Sequence, residues 1–215
     1  MIRAQTEKEE LANSILHGAG SLFSIAGLVL LVLRASGFLG GHGGGAKTIA
    51  ACTVFTSALV LLFSASALYH AISKVKIKHV LQKFDHAAIY FLIAGTFTPI
   101  CFLMLPATPG ILLVIFEWAL AIGGMCLQFV GCKFLKKIEV WLYLAMGWAI
   151  VSVIPFFRAQ SVPASTLILI GAGGCLYSLG IIWYRKKTVR YAHTIWHSFV
   201  MAGAACHWAA IWIVS

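Results

Sequence analysis

The sequence predicts an all-α integral membrane fold: one seven-transmembrane-helix bundle covering residues 1–215 as a single domain. Two observations predict it. Hydrophobic residues make up 61% of the chain and charged residues 10%, whereas a soluble domain averages about 45–50% and about 25%. The apolar residues also gather into seven long runs, each close to the roughly 20 residues a helix needs to cross hydrocarbon. A membrane barrel would instead show alternating segments of about 10 residues. A soluble domain, a disordered chain and a disulfide scaffold are excluded on the same grounds. No two of the six cysteines form a CxxC pair, and within apolar runs free thiols act as small hydrophobes.

The spans fall at 16–34, 48–70, 84–104, 110–131, 139–157, 165–184 and 193–214. The first follows MIRAQTEKEE, whose three glutamates and lack of an AxA-like site argue against a cleaved signal peptide. RASGFLGGHGGGAK separates the first and second spans, and AISKVKIKHVLQK the second and third. Pro106 and Pro109 mark a tight third connection, and CKFLKKIE, FRAQSVPA and YRKKTVRYA supply the rest. Glycine and proline are ordinary breakers at such points. GGHGGG lacks the lysine and hydroxyl residue of a phosphate-binding loop and reads as a flexible connection. His42 and His79 read as loop residues.

Orientation follows from the basic residues. Thirteen of the 16 lysines and arginines lie in the tail and loops on the N-terminal side; only Arg34, Lys47 and Arg158 lie on the other. The positive-inside rule then expects a cytoplasmic N-terminus and an outer C-terminus. The net charge of +10 is thus a topology signal that also attracts anionic headgroups. It is dispersed and carries no readout motif, so nucleic acid is not an expected partner.

Polar groups at membrane depth are costly and mark function. Ser66 and His70 stand four apart near the end of the second span, Asp85 opens the third, and His193 and His197 stand four apart at the start of the seventh. A spacing of four puts two side chains on one helix face. Alternating span direction brings all three segments to the same side of the membrane. Three neutral imidazoles suit Zn2+ with an open fourth position for water. Asp85 would take the water's proton or orient it, and Ser66 would donate to a developing oxyanion. The competing reading is a hydrogen-bonded polar knot that only staples helices. Glu10, Asn13 and His17 share a face of an amphipathic lead-in helix, either as a gate or support for the site or as helix-start and packing residues. His86 points about 100° away from Asp85 and is not a first-choice ligand. His207 stands about 15 Å beyond His197, and Glu117 near the outer end of the fourth span either snorkels or pairs.

EELANSILH, SASALYH, KFDHAAIYFLIAGTFTP, YLAMGW and HTIWHSF, in this order, resemble the bacterial hemolysin III family. That family belongs to the progestin and adipoQ receptor superfamily and is similar to alkaline ceramidases. The resemblance covers nearly the whole chain. It implies seven helices, a cytoplasmic N-terminus, and zinc near the cytoplasmic leaflet held by His70, His193 and His197. It further implies that Asp85 contacts the metal-bound water, that Ser66 lies beside the site, and that Glu10, Asn13 and His17 form the N-terminal motif.

The expected function is a zinc-dependent intramembrane hydrolase of lipid amide or ester bonds in the bacterial inner (plasma) membrane, influencing lipid homeostasis. The alternative is a non-enzymatic sensor or regulator of the membrane state with structural zinc. A cytolysin ranks third, because the spans show almost no water-lined face. Membrane lipids are the expected partners and one of them the substrate; the sequence leaves oligomeric state open.

Overall fold

The computed structural model describes residues 5–41, 44–159 and 161–215. Arg3 and His42, assigned above to the tail and the first loop, lie outside the described residues, as does the side chain of Arg158. Among the described residues there is no strand, and seven helical segments are long and apolar enough to cross a membrane. Backbone in hydrocarbon must satisfy its own polar groups, and helices do so within one segment.

The helices are α1 (Glu7–Ala35), α2 (Gly45–Ala71), α3 (Val75–Met104), α4 (Ala107–Val130), α5 (Leu135–Trp148), α6 (Ile154–Ala159), α7 (Ala164–Arg185) and α8 (Ala192–Val214). A 3-10 stretch, Ala149–Val153, joins α5 to α6, and the fifth span runs Leu135–Phe157. The interruption has a cause in Pro155, which lacks an N–H and crowds the carbonyl four residues back. α1 takes in the lead-in segment, as its amphipathic spacing predicts, and starts at a capping box. The Thr6 hydroxyl accepts from the Glu9 N–H, and the Glu9 carboxylate accepts from the Thr6 N–H at 2.8 Å. α4 ends on Gly131 in the left-handed region (φ 79°), where the Cys132 N–H closes back on the Leu127 carbonyl at 3.0 Å. That is a Schellman closure, which only glycine adopts without strain.

The second connection differs from the expectation. α3 begins at Val75 rather than 84, so most of AISKVKIKHVLQK is helical and His79 is an exposed helical residue, not a loop residue. The segment holds no glycine or proline, and its lysines and leucine are good helix formers. The break is confined to residues 72–74.

α3 is the central helix. Its most apolar window is 72% buried, against 50% or less for every other span, and it touches α2, α4, α5 and α8. α1 packs on α2 and α8, and α7 on α8. Association in lipid relies on close packing rather than hydrophobic burial. Small residues therefore line the contacts: a Cβ on Gly95 would lie 2.9 Å from the Ala58 Cβ. Near Pro99 the Thr98 hydroxyl donates to the Ala94 carbonyl at 2.9 Å and accepts from Trp118 Nε1 at 3.0 Å. Leu22, Phe23, Leu112, Ile115 and Ile168 face outward, which water would penalise and lipid does not.

Gly95→Val should therefore lower the thermal midpoint in detergent by an amount equivalent to about 1–3 kcal/mol, the usual cost of overpacking. Gly123→Ala, where an added Cβ meets nothing within 4 Å, should leave the midpoint in place or raise it slightly.

Candidate metal centre

Helical spacing builds the site from four helices. Ser66 and His70 share a buried face of the last turns of α2. Asp85 is buried on α3, three turns into that helix. His193 and His197 sit on successive turns at the start of α8, and His17 lies on the buried stripe of α1. Each was singled out in the sequence, and the fold brings all of them together at one end of the bundle.

The nitrogens of His70, His193 and His197 available as ligands all lie within 4.8 Å of one another. His70 Nε2 is 3.1 Å from His197 Nε2, and the His193 ring centroid is 4.4 Å from that of His197 and 5.2 Å from that of His70. His70 Nδ1 lies 2.7 Å from a Glu10 carboxylate oxygen. A carboxylate only accepts, so Nδ1 carries the proton and Nε2 presents its lone pair to the cluster. Lys78 closes over the same Glu10 oxygen at 3.1 Å.

The donor set fits a metal ion. Nitrogens at about 2.0–2.1 Å from a tetrahedral zinc stand about 3.3 Å apart, close to the His70–His197 spacing. A carboxylate behind a ligating imidazole is the usual means of fixing its tautomer. His197 Nδ1 is buried with no hydrogen-bond partner among the described residues, so the cluster does not close as a self-satisfied network.

Asp85 lies beside Ser66 and His70. Asp85, Ser66, His17, His193 and His197 line one end of a cavity of about 170 Å³. Its remaining wall is mainly apolar, including Ile89, Leu92, Phe97, Ile170 and Val200, and it reaches His207. From His197 to His207 is ten residues along α8, about 15 Å at the helical rise. The site is thus the polar end of a long apolar chamber.

The N-terminal trio divides its work. Glu10 fixes His70. Asn13 donates to Gln5 at 2.7 Å and accepts from the Thr194 hydroxyl at 2.6 Å, tying α1 to α8. His17 stacks on His197 with ring centroids 3.7 Å apart. Both its nitrogens are buried without a partner among the described residues. These three residues thus touch the histidine cluster or tie its helices, and the capping hydrogen bonds at the start of α1 are made by Thr6 and Glu9. The signal for Glu9 in the sequence is Thr6-x-x-Glu9, a capping-box spacing. The other Glu9 oxygen accepts from the Tyr191 N–H at 2.7 Å.

Other candidates fall outside the cluster. His86 faces Glu139 of α5 at 3.4 Å, a partner the sequence did not single out. His207 donates to the Ile170 carbonyl at 3.2 Å. Glu117 is fully buried, with neither carboxylate oxygen partnered among the described residues. Both outcomes foreseen for it, snorkelling and pairing, are thereby corrected: it sits midway along α4, facing inward.

Seven apolar spans around a buried histidine cluster define a multi-pass membrane protein with a candidate metal centre. The chain belongs to the Haemolysin-III related family, whose profile matches residues 5–208. It is 40% identical to the Hemolysin-3 homolog of Bacillus subtilis, over 93% of this chain and 91% of that protein. It is 37% identical to Hemolysin-3 of Bacillus cereus, over 94% and 89% of the two chains. A more distant similarity, 29% identity over 74% of this chain and 68% of the relative, links it to human Monocyte to macrophage differentiation factor.

A double-mutant cycle tests the α1–α8 tie. Asn13→Ala and Thr194→Val should show a coupling energy of about 0.6–1.7 kcal/mol in unfolding measurements, the range for interhelical hydrogen bonds in membranes.

Proposed function

We propose that this protein is a zinc-dependent intramembrane hydrolase acting on a lipid amide or ester bond. The observation that carries the reading is the placement of three convergent imidazoles, an aspartate and a serine at the polar end of a chamber walled by apolar side chains. The chamber suits an acyl chain, and the polar end suits the carbonyl group at its head.

His70, His193 and His197 would hold the ion, which when bound supplies Lewis acidity toward a carbonyl and acidifies water. The protein's own residues do the remainder. Asp85 accepts the proton of the attacking water and passes it to the leaving amine or alcohol. Ser66 donates to the oxygen on which charge develops. Glu10 keeps the proton on His70 Nδ1. The apolar wall excludes bulk water, which strengthens each of these interactions.

A second reading, a lipid-state sensor in which the metal only pins helices, draws support from the cluster's ligands coming from both α2 and α8, with His17 of α1 stacked on His197. The two differ in what Asp85 does. For orientation, the lysine and arginine distribution supports a cytoplasmic N-terminus; with that orientation, in a bacterial plasma membrane, the site would lie at the inner leaflet.

Purified protein should contain about one zinc per chain, which His193→Ala and His197→Ala should remove. Glu10→Gln should weaken metal affinity by about 10–100-fold, as loss of a carboxylate behind a ligand does. Asp85→Ala should keep the metal and lose lipid hydrolysis by about 10²-fold or more. A metal-free wild type would end both readings, and a fully active Asp85→Ala would leave only the sensor.

Cysteines introduced at Lys8 and Thr188 in a background without native thiols should react with an impermeant maleimide only in inverted membrane vesicles. Labelling in intact cells would reverse the orientation.

A further inference from the structure

Next to the apolar chamber lies a second compartment of different character. It has a volume of about 210 Å³ and is lined by polar and aromatic side chains, among them Tyr69, Gln82, Trp183, Lys186 and Lys187. The two cavities share His193 and Tyr184 in their walls, so they meet at the metal cluster. One acid, Glu9, also lines the polar compartment. Both its oxygens are engaged, one with the Tyr191 N–H and the other with Thr6, so it presents little free accepting capacity. Two lysines and one carboxylate, already engaged, therefore line the compartment.

Both lysines are exposed and lie over aromatic rings. Lys186 Nζ lies 4.6 Å from the Trp183 ring centroid, and Lys187 Nζ 5.7 Å from that of Tyr184, and both rings line the pocket. Ammonium groups lying over the aromatic walls of a polar pocket make a receptor for an anion.

We propose that this compartment is a headgroup subsite for an anionic group of the phosphate type. The protein's ligand is then an acidic amphiphile with its chain in the apolar chamber, its headgroup between Lys186 and Lys187, and the bond joining the two beside His193. This assignment rests on the lipid reading of the site given above and names the class of lipid. It needs no covalent step beyond the hydrolysis already described.

The test is binding. Protein in a nonionic detergent is titrated with an acylglycerol phosphate and with the monoacylglycerol of the same chain. The wild type should bind the phosphate lipid about tenfold more tightly, roughly the worth of one charge-assisted hydrogen bond at a solvated site. Lys186→Gln/Lys187→Gln should abolish that preference while leaving monoacylglycerol affinity unchanged. Lys74→Gln/Lys76→Gln, at exposed positions outside the pocket, should keep it. Equal affinities in the wild type, or equal loss in the Lys74/Lys76 control, overturns the proposal in favour of general attraction to a basic face. Inorganic phosphate that displaces the lipid at comparable concentration, in the wild type only, assigns the pocket to a free anion and overturns the headgroup assignment. Absence of binding by either lipid overturns it as well. Because no turnover is measured, a charge preference without hydrolysis leaves this subsite standing and removes the hydrolase, whereas hydrolysis without charge preference does the reverse.

Discussion

The hydrocarbon interior has no water to solvate a polar group, and the rest of this structure follows from that. Every backbone donor and acceptor must be closed within helices, which fixes the architecture. Every polar side chain below the interface must find a protein partner or stand at a cost, which fixes the site. Six acids and eight histidines are spread over 215 residues. Yet Glu9, Glu10, Asp85, His17, His70, His193 and His197 gather at one end, where each can meet another. The outward faces are left to leucine, isoleucine and phenylalanine. The same constraint gives the chamber its two ends, because an apolar wall contributes nothing to a charge and the polar groups concentrate where the helices bring them into contact.

Most of the site was legible in the sequence because helical spacing is a strict geometric rule. Four residues on α2 put Ser66 and His70 on one buried face, and four on α8 do the same for His193 and His197. Alternating span direction then sufficed to put α2, α3 and α8 in register at one end. The extra helical turns at the start of α3 were not legible, because a lysine-rich segment with no breaker between Val75 and Lys83 satisfies both a loop and a helix pattern. The partner of His86 was not legible either. Glu139 follows three lysines in a connecting segment and reads as ordinary solvated charge until tertiary packing turns it inward.

Glu9 and Glu10 show the limit most sharply. They are adjacent in sequence, equally acidic, and both suited to the first turn of a helix, where negative charge complements the macrodipole. One turn of 3.6 residues separates neighbours by about 100°, so their side chains leave in different directions and take different tasks. Glu9 is buried against the start of α8, and Glu10 reaches the last turn of α2. The local capping-box spacing marks Glu9 for the helix start, but nothing local points Glu9 to α8 or Glu10 to α2. The distinction lies in partners 182 and 60 residues away.

That division makes α1 the organiser of a site to which it gives none of the three clustered nitrogens. The residue that precedes α8 at its N-cap is Tyr191, which is in the left-handed region with φ 56° and offers no side-chain cap. A helix start without a cap frays, and a bulky residue at positive φ is strained. Here the Glu9 carboxylate accepts from the Tyr191 N–H, so the anchoring group comes from another helix. Two residues on stand His193 and, four further, His197, whose positions inherit that anchor. Asn13 repeats the hold one turn along through Thr194, and His17 repeats it again by stacking on His197. The fourth contact, Glu10 on His70, sets the third imbidazole of the cluster from the opposite side. One face of α1 thus fixes α2 and α8 relative to each other at the depth where their histidines meet. The spacing between His70 and His197 is set by a helix rather than by a loop, and a metal site needs that rigidity if it is to hold its ligands at tenths of an ångström.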